Sequence, residues 1–402
     1  MALRGESYYY KIALKYINSS NTEIEIDSRQ LQYIAIDRDF DNTNMPVVVI
    51  YGSIEKNILD NMIKNIDNNL VSLGIYKYDS TNQRDSITTK YLNDRFIYII
   101  RDDISKTSTI EYSSDDDGTG TNQYYKDVTL WLIQQDAINN NTQSINGIFK
   151  NASMNSLILQ VSNYLGKTLL EPIKYDTKFD QIIIPPHDSI STYLKFLNDN
   201  ISVFYDTPYR FFIDFDITYI VSSSGYPVRA RGEDIYTIEI DVTDIIPEDE
   251  EQGSYIDIPN NKCIIKVNTA NVEYTKNNVT NKLVNKVTVI DSIGNKKEKS
   301  ISNMNKSSVT STINQIYNIS NTDENIINNI TYSIDSNTIM VTIVKNNLDA
   351  SMFTINKEYI LTDKSHEEYA GRYILTHSKQ LFTKQTEFFT MTTILAFKKV
   401  VK

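Results

Sequence analysis

The sequence predicts a mainly β fold with helical insertions. Alternation of period two runs through both ends of the chain, from Tyr8 to Lys15 and again over much of 338–401, as strands with one buried face require. Polar turn clusters cut these runs into hairpin-length pieces. Apolar stripes of helical spacing are confined to a few short stretches. Antiparallel hairpins and meanders therefore dominate.

Taken in order, Tyr8, Tyr10, Ile12 and Leu14 alternate with Tyr9, Lys11, Ala13 and Lys15, and Ile24 and Ile26 with Glu23 and Glu25. Strands follow at 31–36 and at Val47–Tyr51, the latter bounded by Pro46 and Gly52. Ser53 is placed to cap a helix whose face is Ile54, Ile58, Leu59, Met62, Ile63 and Ile66. Strands resume at Val71–Tyr78, Phe96–Ile100 and Tyr124–Ile133. Trp131, the only tryptophan, is read as core. The intervening Ser113–Gly120 is a solvated loop tip. As a calcium loop with Gly118 at position 6, it would put Ser113 and Tyr124 where ligating carboxylates belong.

Asn139–Asn141 marks a boundary. The pattern of 145–165 predicts a helix, with Asn151 or Ser153 as cap and Gly166 just past its end. The next stretch is compact and well patterned: FDQIIIPPHDSISTYLKFLNDNISVFYDTPYRFFIDFD, Phe179 to Asp216. Pro185-Pro186 ends an apolar strand, since Pro186 lacks a backbone donor and holds Pro185 extended. His187-Asp188-Ser189 offers caps for a helix with Ile190, Tyr193, Leu194 and Leu197 on one face, stopping near 198–200. A turn at 206–208 then leads into a strand. Phe211, Ile213 and Phe215 point one way there, with Phe212, Asp214 and Asp216 the other. Strands at 217–221 and 236–242 follow, and 247–253 is an acidic linker. Two long strands span 262–274 and 283–290. Residues 308–317 and 322–328 are read as short helices. The clearest strands are the last: 338–344, 358–362, 371–382 and 387–401.

At 402 residues the chain has room for two or three cores. Its 28 Tyr, 14 Phe, 12 Gly and 8 Pro are those of a folded protein. A net charge of −11, with basic residues no denser than Lys296-Lys297 and Lys398-Lys399, disfavours nucleic acid or an anionic membrane as a bound surface. The abundance of Asn, Ile, Lys and Tyr fits an AT-rich genome. Cys263 is the only cysteine, which rules out an internal disulfide, and is read as a small buried hydrophobe. No signal peptide or membrane-spanning run is recognised.

The search for chemistry is negative. His187, His366 and His377 fit no zinc spacing, and no phosphate- or dinucleotide-binding loop or nucleophile elbow is present. Asp214 with Asp216 and Glu239 with Asp241 share strand faces and could suggest glycoside hydrolysis. They are read as residues of wet strand faces. No catalytic, metal or cofactor residue is assigned.

Two segments carry a resemblance. One runs from INGIFKNASMNSLILQVSNYLG through Leu170-Glu171-Pro172, the IIIPP run and the YLKFL helix to FYDTPYRFFIDFD. The other is GRYILTHSKQLFTKQTEFFTMTTILAFKKVV. Together they resemble the central baseplate hub proteins of contractile-tailed bacteriophages, the T4-like hubs that join tail tube to spike. The positions concerned include Pro185, Pro186, Leu194, Phe211, Phe215 and Phe397. The resemblance implies a homotrimer with two tube-like antiparallel β-barrel domains per chain, so that three chains present six barrels to a sixfold tube and threefold symmetry to the spike. It implies tube, spike and other baseplate partners, a place in the virion after assembly in the host cytoplasm, no membrane, and DNA only as cargo passing through the lumen. No lysozyme-like domain is expected.

The expected layout is an N-terminal barrel at 1–138, completed by strands at 209–246, and an α/β insertion at 139–208. An acidic linker at 247–261 and a C-terminal barrel at 262–402 follow, the latter with a polar insertion at 301–336. The alternative from another class is a cell-wall-active or glycan-binding tail protein.

Overall fold

The computed structural model describes residues 8–41, 45–66, 70–79, 87–102, 109–112, 122–164, 167–170, 178–186, 188–201, 209–215, 217–222, 237–242, 254–257, 262–267, 270–276, 284–290, 296–300, 311–316, 337–346, 358–363 and 370–400. The fold is mainly β. The N-terminal strands are β1 (Tyr8–Ile17), β2 (Glu23–Ile26), β3 (Leu31–Asp39), β4 (Val47–Glu55), β5 (Leu70–Asp79), β6 (Ile87–Asp102), β7 (Thr109–Tyr112) and β8 (Asn122–Ile133), with helix α1 (Lys56–Lys64) after β4. Helix α2 (Gln135–Thr142), β9 (Gly147–Ser153), α3 (Met154–Leu159), β10 (Lys167–Leu170), β11 (Lys178–Ile184), α4 (Ile190–Ile201), β12 (Tyr209–Asp214) and β13 (Ile217–Ser222) stand in the chain between β8 and the next strand of the large sheet, and this stretch is called the insertion below. The remainder is strand: β14 (Thr237–Val242), β15 (Ser254–Asp257), β16 (Lys262–Val267), β17 (Ala270–Lys276), β18 (Val284–Ile290), β19 (Lys296–Ser300), β20 (Ser311–Ile316), β21 (Asn337–Asn346), β22 (Glu358–Asp363), β23 (Gly371–Lys384) and β24 (Phe389–Lys399).

Eight strands pair in a closed circuit. Its order is β3, β4, β8, β6, β5, β1, β24 and β23, and β23 returns to β3. Inward residues of these strands, Tyr10, Ile34, Ile50, Leu73, Tyr98, Leu130, Phe382 and Met391 among them, are at most 2% exposed. Phe382 meets Tyr10 edge-on at 5.0 Å between centroids, a geometry favoured by the ring quadrupoles.

The β23–β24 hairpin is long enough to serve two sheets. Its turn-proximal half closes the circuit, His377–Thr383 pairing with β3. Its other half is flanked by β22 on one side and β21 on the other. The second sheet therefore runs β15-β16-β14-β22-β23-β24-β21-β17. Only two residues separate β16 from β17 in the chain, so Val267 and Ala270 lie within about 11 Å. Because these strands stand near opposite ends of the path, the second sheet must curl to bring its ends together.

Several expectations are corrected. The strand predicted to stop before Gly52 runs on to Glu55, and Ser53 is no helix cap; its hydroxyl bonds Asp127. Gly52 lies opposite Leu31, where a Cβ would meet Gln30 O at 2.7 Å, so glycine permits the close approach of the backbone at the start of β3 rather than ending the strand. The 145–165 helix is interrupted: 147–153 is strand β9, paired with β11, and helix begins only at Met154, capped by Ser153. Asn139–Asn141 lies within α2. The long strand over 262–274 is two strands, and 311–316 is a strand paired in parallel with β18 rather than a helix. The strands expected to complete the first barrel divide: β12 pairs with β13 and β13 also with β10, whereas β14 lies between β16 and β22. Gly166 and the 113–120, 206–208 and 322–328 segments lie outside the described residues. No helix among the described residues is long and apolar enough to cross a membrane.

Candidate functional site: the shared hairpin and the outer wall

The insertion is held on the hairpin side of the closed circuit. Helix α4 starts with a reciprocal cap, Ser189 Oγ accepting from Thr192 N and Thr192 Oγ1 from Ser189 N, both at 3.1 Å. Ile190, Tyr193, Leu194 and Leu197 are all 0% exposed, as their spacing predicts. Tyr193 donates to Leu157 O at 2.8 Å, and burial pushes its phenol pKa upward. Ser191 is tied to buried Asn140 of α2. Pro185 and Pro186 are exposed at the end of β11.

The strand after α4 departs from its predicted two-faced pattern. Phe211, Phe212 and Ile213 are all buried, because both sides of β12 are covered. Phe212 packs on Phe40 and Tyr219, with centroids 5.6 and 5.0 Å away. Phe215 is not part of the strand; it sits in the turn at φ 51° and packs on the core. Phe397, on β24, is fully buried against Tyr359.

Charged groups join the apolar contacts at this junction. Arg210 reaches out of β12 to donate to Phe40 O at 3.2 Å and Leu375 O at 3.4 Å. Arg38, from β3, meets Asp214 at 3.4 Å, with side chains 8% and 17% exposed. Asp214 is therefore half of a buried ion pair, not a residue of a wet strand face. Arg38 also donates to the Tyr91 hydroxyl, which in turn bonds Gln380 of the hairpin. The sequence held no signal for Arg38: its partner is 176 residues away.

A bulge marks where β23 changes partners. The β23–β24 register slips between Leu375 and His377. The extra residue, Thr376, accepts from Phe40 N at 2.7 Å and donates to Ala396 O at 3.0 Å. Just beyond it, His377 Nε2 meets Asp37 Oδ1 at 2.6 Å. That bond raises the imidazole pKa from its ordinary 6.5, with Asp39 helping and Lys379 opposing. The same bond lowers Asp37 from its ordinary 3.8, against its burial. The imidazolium's share of stability is complete below the unfolded histidine value and is lost as pH rises through the raised folded value. The carboxylate's share is present above the unfolded carboxylate value and is lost as pH falls through the lowered one. The pair is thus worth most between these limits. Both side chains are more than a third exposed, so the effect is small. The expected result is that His377→Gln lowers the melting temperature at pH 5.5 and that the difference from wild type shrinks by pH 8.5, as thermal scans across pH would show.

Beside this pair an open groove of about 920 Å³ lies between the wall and the start of α4. Met45, Pro46, Val47, Val49, Trp131 and Ile133 form its apolar side, and Asp37, Asp39, His377, Lys379 and Ser189 are among its polar residues. Trp131 is 41% exposed, contrary to the core reading. It is part of an outward row that crosses five strands in register: Leu381, Ala35, Val49, Trp131 and Ile99. Tyr33 and Tyr51, stacked at 5.5 Å, continue this face toward one end of the wall. Val47, Ile133 and Ile97 continue it toward the other. The alternation of Val128, Leu130 and Leu132, all buried, was the available signal that Trp131 points outward.

Among the described residues no group of three or more His, Cys, Asp or Glu side chains could hold a metal ion. His187, Asp216 and His366 lie outside them.

Two solved structures share the fold over their whole length. One is the tail protein from Neisseria meningitidis MC58, with TM-score 0.54 and 9% identity, covering 96% of each chain. The other is the 43 kDa tail protein of prophage MuSo2 from Shewanella oneidensis, with TM-score 0.51 and 9% identity, covering 97% of this chain and 98% of that one. No curated protein matches the chain. The sequence itself matches one family model over residues 6–400, and the chain belongs to that family, described as Bacteriophage PBS1 gene 109 protein.

Proposed function

We propose that this chain is a structural protein of a phage tail and, more finely, the central baseplate hub of a contractile tail: a homotrimer that adapts the hexameric tail tube to the trimeric spike. The carrying observation is that two eight-stranded sets, one closed and one curled, share a single hairpin. A sixfold ring can sit flush on a trimer only where each subunit offers two near-equivalent surfaces, and two similar barrels per chain would supply them. The family is a phage family, and both solved structures compared above are named tail proteins. Tube, spike and neighbouring baseplate proteins are the partners this reading requires, in the virion. DNA would be passing cargo, which carboxylates of a chain with net charge −11 would repel from the lumen wall. No catalysis is assigned, and the positions Pro185, Pro186, Leu194, Phe211, Phe215 and Phe397 serve the fold.

The test is to mix the purified chain with tail tubes of the same phage. Electron micrographs should show tubes capped at one end only. Tubes that stay bare, with and without the spike protein present, would contradict the adaptor role.

A further inference from the structure

We infer that the closed circuit holds a structural water molecule on the inner face of the shared hairpin, bound by Ser378 and Gln380 of β23 and Thr393 of β24. The inference concerns the chain by itself and does not depend on the hub reading.

The three side chains occupy neighbouring inner positions. Ser378, Gln380 and Phe382 alternate inward along β23, and Met391, Thr393 and Leu395 along β24. Gln380 and Thr393 stand directly opposite each other, which puts their Cβ atoms about 5 Å apart. Ser378 is the next inward residue of β23, about 7 Å along the strand. Ile36 faces Gln380 from β3, and Leu395 faces Ser378 from β24. Arg38 faces Ser378 from β3, with its guanidinium turned to Asp214 and Tyr91. Ser378, Gln380 and Thr393 are each 0% exposed, so bulk solvent does not reach them.

Tyr91 sets which end of Gln380 is available. Its hydroxyl accepts from Arg38, so its own proton goes to Gln380 Oε1. That leaves the amide nitrogen as a donor. Gln380 Nε2, Ser378 Oγ and Thr393 Oγ1 have no hydrogen-bond partner among the described residues. A buried polar group left unpaired bears its full desolvation cost. One water removes that cost at all three atoms. It accepts from Gln380 Nε2 and donates its two protons to the two hydroxyl oxygens. Three bonds are the usual number for a buried water. An anion fits less well. It could accept from the same three groups, but Asp214 already offsets the charge of Arg38. A second anion would therefore bring an uncompensated charge into the interior.

The water extends a network already in place. Hydrogen bonds run from Asp214 of β12 through Arg38 of β3 and Tyr91 of β6 to Gln380 of β23. The bound water carries this chain on to Thr393 of β24. Insertion, wall and both strands of the hairpin then share one polar network inside the circuit.

The test is a crystal structure of the full chain at a resolution that shows ordered water, from crystals with and without a bromide soak. The expected result is one density peak within about 3.2 Å of all three atoms, with no anomalous signal after the soak. An empty map there, or Gln380 bonded directly to Thr393, overturns the inference. An anomalous peak assigns the site to an anion and overturns it too. Thr393→Val gives a second reading without crystals, since it keeps the shape and removes one partner of the water. Urea unfolding should show about a fivefold loss in the folding equilibrium constant, with circular dichroism checking the fold. A hydroxyl unpaired in the folded chain gives the opposite sign, because a methyl group is better buried there. A variant as stable as wild type, or more stable, therefore contradicts the bound water.

Discussion

Leu194→Asp should lower the stability of the insertion by about 4 kcal/mol, read as a fall in denaturant midpoint or as a new proteolytic cut in the insertion. Leu194 is 0% exposed and packed in one apolar face with Ile190, Tyr193 and Leu197. Removing a buried leucine costs about 2–5 kcal/mol. An aspartate there must also either leave water unpaired or take up a proton. A variant as stable as wild type would mean that α4 does not bury this stripe. Leu194→Met, which nearly keeps the volume, should cost less than about 1.5 kcal/mol and shows whether packing or charge dominates.

Asp214→Ala should destabilise by about 3 kcal/mol, since it strands the Arg38 guanidinium in the interior. The Arg38 side chain is only 8% exposed, and among the described residues its remaining side-chain hydrogen-bond acceptor is the Tyr91 hydroxyl at 3.5 Å. The double change Arg38→Met with Asp214→Leu should recover most of the loss, because a buried ion pair is often worth no more than apolar packing of similar volume. Urea unfolding of the single and double variants gives the coupling directly. A cost under about 1 kcal/mol for Asp214→Ala would mean that water reaches Arg38, and that the junction does not depend on this pair.

These two sites differ in how far the sequence revealed them. The Leu194 stripe was legible because helical spacing and its cap are local properties, written within a dozen residues. The strand alternation of Tyr8–Leu14 and of the final hairpin was legible for the same reason. The Arg38–Asp214 pair was not, since nothing local tells which of 40 basic residues meets which of 51 acidic ones. Gly52 misled because glycine ends strands and also lets a neighbouring backbone come close, and only the facing Gln30 and Leu31 decide between them. Ile145–Leu165 misled because its apolar residues fit helical spacing while β11 was there to pair with its first half. Trp131 was misjudged on residue type although its neighbours' alternation pointed it outward. The sharing of β23 and β24 between two sheets depends on register with strands more than 300 residues away, such as β3.

The central claim is that three chains form one ring in which each contributes two barrels. Class averages of the purified protein by negative-stain electron microscopy test it most directly, repeated with the spike protein if the chain alone is small. The account predicts a threefold ring with a central channel and six lobes of nearly equal size around it. A monomer in both samples, or a ring whose three subunits each show a single lobe, would contradict it.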